Sequence, residues 1–299
     1  MPSIKNVAIA GAAGSLGSVV FQKLVDSGKF HVRVLRRNGS RSTYPAGTDV
    51  ADVDFGSVDS LKAALQGYDA VVAPVASESI EVQKNLIDAS IAAGVKRFLP
   101  SEFGSNLDNP ITRKLPVYGH KVQIQDYLIE KAKTTSLTYT FVYNSAFLDW
   151  GLQYDFILKI SDGKPNIING GDSVFSATTL ASVGDAVVGV LSHPEETKNR
   201  TVFVDDIKVT QNQLLALAKK AAPQKDWQPQ QVKLDDLLAG ADARLAKGLY
   251  DMETFVPYIF RAILDPACGG NFTKTDNELL GLKGKTEEDV IDIIKKLIK

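Results

Sequence analysis

Residues 5–17, Lys-Asn-Val-Ala-Ile-Ala-Gly-Ala-Ala-Gly-Ser-Leu-Gly, decide the fold. The apolar run Val7–Ala10 is typical of a buried parallel strand, and an amphipathic helical pattern begins directly after the glycines. Gly11, Gly14 and Gly17 recur at every third residue between them, which predicts a strand, a glycine turn and a helix. Such a turn lets a pyrophosphate approach the main chain at the N-terminus of the helix. The alternative is a tight turn that binds no ligand.

An arginine-rich loop follows the second predicted strand, Phe30–Leu35. In dinucleotide-binding folds an acidic residue at this place binds the 2′-hydroxyl of NAD, whereas arginine accommodates the 2′-phosphate of NADP. Residues 36–42, Arg-Arg-Asn-Gly-Ser-Arg-Ser, contain three arginines and no acid. The loop therefore favours NADPH as the cofactor over the alternative of a solvated basic loop. The predicted cofactor contacts are Gly11, Ala13, Gly14, Ser15, Leu16, Gly17, Arg36, Arg37, Ser101 and Phe103.

Strands alternate with helices along the first half of the chain. Short apolar segments at residues 50–55, 69–75, 95–99 and 137–143 are separated by helical patterns at 61–67, 80–93 and 117–133. This rhythm predicts an α/β fold with a doubly wound, Rossmann-type parallel sheet and a smaller interleaved α/β part. We expect residues 1–155 to bind NADP and residues 156–299 to bind mainly the substrate, with residues 180–205 rejoining the first part. Residues 167–175 suggest a hairpin.

Lys121 is the charged residue in an otherwise apolar face of the helix predicted over 117–133. No carboxylate lies three or four residues away on this helix, so a desolvated lysine would have a lowered pKa and exchange protons near neutral pH. The alternative is a lysine whose long stem reaches solvent. Ser101 and Glu102 follow a predicted strand, at the edge of the sheet where ligands bind. We therefore expect them on the floor of the site, with Glu102 facing the substrate.

The segment from Asn144 to Phe156 is unusually aromatic. It follows the sixth predicted strand, so Phe147, Trp150 and Tyr154 are expected to form one wall of a flat apolar substrate site. The alternative is that these rings only pack against one another.

Composition excludes several classes of function. The net charge of −1 offers no basic surface for nucleic acid, and no apolar run approaches the roughly 18 residues that span a bilayer. The single cysteine, Cys268, excludes intramolecular disulfides and cysteine-based zinc sites, and the three histidines lack metal-ligand spacing. Met1 is followed almost directly by the first strand, so we expect a cytoplasmic protein without a signal peptide.

Four stretches form a combined pattern: residues 11–17, residues 92–104 (Ala-Ala-Gly-Val-Lys-Arg-Phe-Leu-Pro-Ser-Glu-Phe-Gly), Lys121 on its helix, and residues 194–200 (Pro-Glu-Glu-Thr-Lys-Asn-Arg) before a strand. Together they resemble the isoflavone reductase-like proteins. That group includes the phenylcoumaran benzylic ether and pinoresinol–lariciresinol reductases and is similar to the NmrA-like branch of atypical short-chain dehydrogenases. The run 98–104 is the most specific part. Ala13 stands where threonine is usual, a change that phosphate binding by the main chain tolerates.

The resemblance implies an NADPH-dependent reductase. Arg37 falls where the family has its ribose-phosphate arginine, and Lys121 falls where it has its catalytic lysine. The Tyr-x-x-x-Lys pattern of short-chain dehydrogenases is not met, because Val117 lies four residues before Lys121 and Tyr118 lies three before it. Tyr118 is therefore expected to contact the substrate and, at most, to assist Lys121.

The predicted reaction is hydride transfer from NADPH to a conjugated aromatic or enone carbon, with Lys121 moving a proton to or from the substrate oxygen. The expected partners are this small molecule and, as one option, a second copy of the chain in a homodimer. Two alternatives remain. One is a redox-sensing regulator that binds NADP without turnover, and the other is a non-redox isomerase or lyase that retains the cofactor site.

Overall fold

Twelve strands and eleven α-helices form in residues 3–76 and 80–298, which are the residues that the computed structural model describes. The strands are β1 (Asn6–Ala10), β2 (His31–Arg37), β3 (Asp49–Val53), β4 (Ala70–Val72), β5 (Arg97–Leu99), β6 (Thr138–Tyr143), β7 (Ala146–Phe147), β8 (Asn166–Ile168), β9 (Phe175–Thr178), β10 (Arg200–Phe203), β11 (Ile207–Val209) and β12 (Gln230–Val232). The helices are α1 (Ser15–Asp26), α2 (Val58–Leu65), α3 (Ile80–Ala93), α4 (Gly119–Thr134), α5 (Leu148–Gln153), α6 (Leu180–Ser192), α7 (Gln211–Ala221), α8 (Leu234–Leu245), α9 (Met252–Leu264), α10 (Asn277–Leu280) and α11 (Glu287–Leu297).

Seven parallel strands form the main sheet, in the order β10-β6-β5-β4-β1-β2-β3. The predicted doubly wound parallel sheet is thus confirmed. The chain runs outward from β1 through β2 to β3 and then returns to β4 on the other side of β1. Ligands bind outside the carboxyl ends of the strands at such a reversal, which here lies between β1 and β4.

Helices cover both faces of the sheet. One core contains apolar residues of α2, α3 and α4 with one face of the strands, and a second contains residues of α1 and α6 with the other face. Side chains in β6 show this alternation, since Val142 packs in the α1/α6 core and Tyr143 in the α2/α3/α4 core. Helix α4, which carries Lys121, therefore lies on the same side of the sheet as Tyr143.

The chain leaves the sheet after β6 and comes back to it. Strand β10 pairs with β6 in parallel, with Arg200 opposite Thr140, and α6 packs against α1. Between and after these elements, a third core is built from α5, α7, α9 and α11. Elements of the main sheet and elements of the third core are therefore interleaved along the sequence.

One local expectation for the second half was wrong. Residues 167–175 do not form a hairpin: β8 pairs in parallel with β12, and β9 pairs with β11 and β7. The difference arises because long-range strand pairing outweighs the local sequence signal.

Candidate functional site

The carboxyl ends of the central strands form a cleft of about 470 Å³. It lies at the reversal of strand order, between the glycine turn after β1, the basic loop after β2 and the segment after β4. Its lining includes Gly11, Ala13, Gly14, Arg36, Arg37 and Val75. The segment after β4 continues into residues 77–79, which lie outside the described residues.

The three glycines of the turn serve different purposes. Gly11 has a positive φ of 89°, and a Cβ atom there would lie 2.5 Å from the Pro74 carbonyl oxygen. A Cβ at Gly17 would lie 2.0 Å from the Gly11 carbonyl oxygen, so the turn itself requires glycine at both positions. A Cβ at Gly14 would make only an ordinary contact at 3.5 Å. The protein alone therefore has room for a side chain at Gly14, which lines the cleft.

The start of α1 is open to a ligand. Ala13, Gly14 and Ser15 are exposed, whereas Leu16 packs against the α1/α6 core. Among the described residues, no side chain caps this helix at its N-cap residue Gly14. The first amide groups of a helix carry partial positive charge and lack partners within the helix. Such an open helix end can accept an anion such as a phosphate.

The two neighbouring arginines of the basic loop differ in their partners. Arg36 donates two hydrogen bonds to Asp52, from Nε at 2.6 Å and from Nη2 at 2.8 Å, and a third to the Ser42 carbonyl. This bonding raises the pKa of Arg36 and lowers the pKa of Asp52. Arg37 is exposed and makes no side-chain hydrogen bond or ion pair within the described ranges 3–76 and 80–298. Arg37 is thus the arginine that is available to an incoming anion.

The turn after β5 joins this cleft to α4. Ser101 donates its hydroxyl hydrogen to the Val75 carbonyl at 2.6 Å, and its main-chain amide donates to Gln83 Oε1 at 2.9 Å. Phe103 is buried in the α1/α6 core, to which Leu16 and Phe147 also belong. Ser101 therefore fixes Val75 of the cleft lining, and its hydroxyl already has an acceptor. Phe103, expected to contact the cofactor, is instead a core residue.

Lys121 is held by the main chain of the same turn. Its Nζ donates to the Glu102 carbonyl at 3.2 Å and to the Phe103 carbonyl at 3.4 Å. The residue is half-buried, and burial of the ammonium group lowers its pKa, while the charge of Glu102 opposes this shift. A Cβ at Gly104 would lie 3.7 Å from Nζ, so the turn passes closely under the amine. Lys121 is thus a fixed, partly desolvated amine and not a freely solvated one.

Glu102 does not lie on the floor of the site as predicted. Its side chain is 1% exposed and its Oε2 accepts a hydrogen bond from Gln125 Nε2 at 2.7 Å. Burial raises the pKa of this carboxyl, and the charge of Lys121 opposes the shift. The backbone of the turn reaches Lys121, but the carboxylate points into the interior, where a substrate has no access.

Tyr118 also differs from expectation. It belongs to the 3₁₀ turn Pro116–Tyr118 before α4, is 6% exposed, and donates its hydroxyl hydrogen to Ser105 Oγ at 2.7 Å. Burial raises its pKa. The hydroxyl is therefore part of the core and is not presented to a ligand.

The aromatic segment forms one cluster. Trp150 lies 5.0 Å from Tyr154 and 6.0 Å from Phe156 between ring centroids, and Phe156 lies 5.1 Å from Phe260 of α9. Tyr154 is 58% exposed. Because α9 contacts the 3₁₀ turn Pro116–Tyr118, the cluster is connected through α9 to the segment that leads into α4. Phe147 lies apart, against the α1/α6 core.

Sequence reasoning missed the polar network behind Lys121. Arg113 Nη1 donates to Gln125 Oε1 at 2.6 Å, and Gln125 Nε2 also donates to the Tyr143 hydroxyl at 2.8 Å. Tyr143 in turn donates to Asp108 at 3.3 Å. The only local signal was the spacing of Gln125, one helical turn after Lys121 on the same face.

No helix in the described parts of the chain is long and apolar enough to cross a membrane. In those same residues, no group of three or more histidine, cysteine or acidic side chains is arranged to hold a metal ion.

The chain is similar to a known protein family, to known proteins and to solved structures. A model described as the NmrA-like family matches residues 3–277. Oxidoreductase aprR of Aspergillus flavus is 32% identical over 301 residues, covering 97% of this chain and 98% of the relative. Phenylcoumaran benzylic ether reductase PT1 of Pinus taeda is 25% identical over 246 residues, or 74% of this chain and 76% of the relative. The binary complex of leucoanthocyanidin reductase with NADPH from Vitis vinifera superposes with a TM-score of 0.80 at 23% identity, covering 97% and 99% of the two chains.

Proposed function

Because this chain belongs to the NmrA-like family, we propose that it is an NADPH-dependent reductase that transfers hydride to a conjugated carbon of an aromatic or enone-type small molecule. The relatives described above are named oxidoreductases and reductases, which supports the enzyme class. The observation that carries the proposal is the placement of Lys121. Its amine is fixed by two carbonyls of the turn that Ser101 ties to the cofactor cleft.

The residues of the cleft fit NADPH. The exposed Gly14 leaves room in front of the uncapped end of α1, where a pyrophosphate would meet main-chain amides. Arg37 would bind the 2′-phosphate, and Arg36 would line the same side while its charge is balanced by Asp52. Ala13, Ser15 and Leu16 would complete the phosphate turn. When bound, the nicotinamide would supply the hydride.

Lys121 supplies the proton chemistry. A neutral amine has two N–H groups and one lone pair, and the two carbonyls can accept both hydrogens. The lone pair then points in a fixed direction away from the turn, and in the ammonium form the third N–H points there. Because burial lowers the pKa of Lys121, the two forms interconvert closer to neutral pH, which favours general acid–base catalysis. Lys121 would therefore give a proton to the substrate oxygen, or remove one from it.

The aromatic cluster is the proposed substrate wall. Trp150 and Tyr154 present partly exposed rings, and Phe260 connects them to α9. Aromatic rings pack against a flat conjugated ligand by offset stacking or edge contacts. This supports an aromatic or enone acceptor over a small aliphatic one.

The test is transfer of deuterium. Purified protein is incubated with NADPH that carries deuterium at C4 of the nicotinamide, together with a panel of aromatic enones and quinone methides. The proposal expects consumption of NADPH and a product that gains one deuterium on carbon, detected by mass spectrometry. Binding of NADPH without consumption across the panel would favour the sensor, and conversion of a substrate without deuterium gain would favour the isomerase or lyase.

A further inference from the structure

The orientation of the Gln125 amide is decided by its neighbours. Arginine has only hydrogen-bond donors, so the atom that faces Arg113 Nη1 at 2.6 Å must be the amide oxygen. Arg113 is itself fixed by Asp126, 2.5 Å from Nη2. The amide nitrogen therefore faces Glu102 Oε2 and the Tyr143 hydroxyl, at 2.7 and 2.8 Å. Because Tyr143 accepts this bond, its own hydrogen is free to go to Asp108.

In this network the buried carboxylate of Glu102 is bound by a neutral group, the amide of Gln125. The hydrogen bond of Glu102 comes from an amide, and no salt bridge within 4.0 Å joins Glu102 to a cation in residues 3–76 and 80–298. The charged groups that act on it are Lys121 of α4, Arg113 before α4 and Asp108 of the loop after β5. Tyr143 of β6 adds a neutral hydroxyl nearby. Lys121 is the cation that exerts the largest effect on Glu102, and Glu102 is the charge that acts on Lys121.

We propose that Glu102 is a positioning residue that sets the proton affinity of Lys121 by its charge, and that Gln125 and Arg113 hold its carboxylate in place. The Lys121 amine and the buried carboxylate are linked through one residue, since Nζ binds the main-chain carbonyl of Glu102 and Gln125 binds its side-chain carboxylate. An ionised Glu102 favours the ammonium form of Lys121 and so offsets the desolvation that favours the amine. The inference rests on the proposed function only for its catalytic consequence.

The experiment measures the proton affinity of Lys121 without a substrate. Competitive labelling by acetic anhydride over a series of pH values, read by mass spectrometry, gives a titration midpoint for each lysine. Glu102→Gln keeps the shape of the side chain and an acceptor for Gln125 but removes the charge. The midpoint of Lys121 should fall by about 1–2 pH units. Glu102→Asp, which keeps the charge, should move it much less.

A matched control lies on the same helix. Glu130→Gln removes an exposed carboxylate that pairs with Lys133 at 2.7 Å, so the midpoint of Lys121 should not change. An unchanged midpoint in Glu102→Gln would overturn the inference. Equal shifts in Glu102→Gln and Glu102→Asp would also overturn it, because they would show a merely structural role.

Two further readouts keep the test decisive. If Glu102→Gln fails to fold, the wild-type labelling curve of Lys121 decides: coupled groups titrate in two steps, and a single ordinary lysine titration contradicts the inference. If a substrate is found, the limb of the pH–rate profile that belongs to Lys121 should shift to lower pH in Glu102→Gln by the same amount. A shifted midpoint without turnover on any substrate would reject the proposed function and leave this inference standing.

Discussion

Lys121 and Gln125, one helical turn apart on α4, hold the same turn of chain after β5. Lys121 does so through the carbonyls of Glu102 and Phe103, at 3.2 and 3.4 Å, and Gln125 through the Glu102 carboxylate at 2.7 Å. Any motion of this turn therefore moves the amine and its buried countercharge together. The candidate acid–base group is part of a rigid unit built from α4 and the end of β5.

We expect cofactor choice to depend on Arg37. Arg37→Ala should reduce the preference for NADPH over NADH by about 10–100-fold, the value of one charge-assisted phosphate contact, with NADH binding nearly unchanged. Arg41→Ala is the control, since Arg41 is an exposed arginine of the same loop outside the cleft lining. Calorimetry with both cofactors measures the ratio. Equal affinity of the unaltered protein for NADPH and NADH would refute the assignment.

Substitutions at two glycines of the turn after β1 should have different effects. Gly14→Val should abolish NADPH binding and leave thermal unfolding nearly unchanged, because Gly14 has an extended backbone with φ −78° and space for a Cβ. Gly17→Ala should instead destabilise the fold, since its Cβ would lie 2.0 Å from the Gly11 carbonyl oxygen. Normal NADPH affinity in Gly14→Val would show that the turn is only structural.

We expect turnover to depend on the Lys121 amine. Lys121→Met keeps an apolar stem of similar length and removes the titrating group, so the reductase rate should fall by about 10²–10⁴-fold with NADPH affinity retained. Lys133→Met, an exposed lysine on the same helix that pairs with Glu130, should leave the rate unchanged. A wild-type rate in Lys121→Met would rule out the proton-transfer role. In the absence of turnover, NADPH should instead alter affinity for a protein partner.

Stability should depend on pH through Glu102. Burial raises the pKa of Glu102 to about 7, so between about pH 4.3 and that value the folded chain binds more protons than the unfolded chain. The contribution of Glu102 to the free energy of unfolding therefore falls as pH rises across this window. As pH rises through this window, the free energy of unfolding of Glu102→Gln should increase relative to that of the wild type by up to about 1.4 kcal/mol per pH unit. Urea denaturation measures this difference. A difference that is constant with pH would contradict this.

Arg97 links β5 to β6 and to the segment that precedes β10. It is fully buried at the start of β5 and donates to the hydroxyls of Thr138, Thr140 and Thr197 at 2.9–3.0 Å. Arg97→Met should destabilise the protein by about 1–3 kcal/mol, because lost charge-assisted hydrogen bonds outweigh the relief of desolvation. Lys96→Met, which removes only a partly exposed pair with Asp69, should cost less than about 1 kcal/mol. Equal unfolding midpoints of the two variants would oppose this role.

The parts of the molecule that are encoded locally could be predicted from the sequence. Spacing alone indicated the glycine turn after β1 and the parallel sheet. What depends on register could not be predicted in this way. Asp52 reaches Arg36 because β2 and β3 pair with these residues opposite each other, and the local sequence around residues 36–42 contains no acid.

The direction of a side chain at a turn could not be predicted from the sequence either. Glu102 follows a strand that ends at the ligand edge, yet its carboxylate turns inward to Gln125. Its partner was visible only as a glutamine one turn after Lys121. Side-chain networks of this kind join residues far apart in sequence, such as Arg113 and Tyr143. The helical period of 3.6 residues and the strand period of 2 residues give no information about such contacts.

The return of β10 to β6 sets the order in which the molecule can be completed during synthesis. Until the ribosome has made Phe203, the last residue of β10, β6 is the edge of the growing sheet. An unpaired edge strand is a template for pairing with other chains. A fragment that stops at residue 155 would keep this edge permanently, so it should aggregate, whereas a fragment that extends beyond residue 209 can pair β6 with β10.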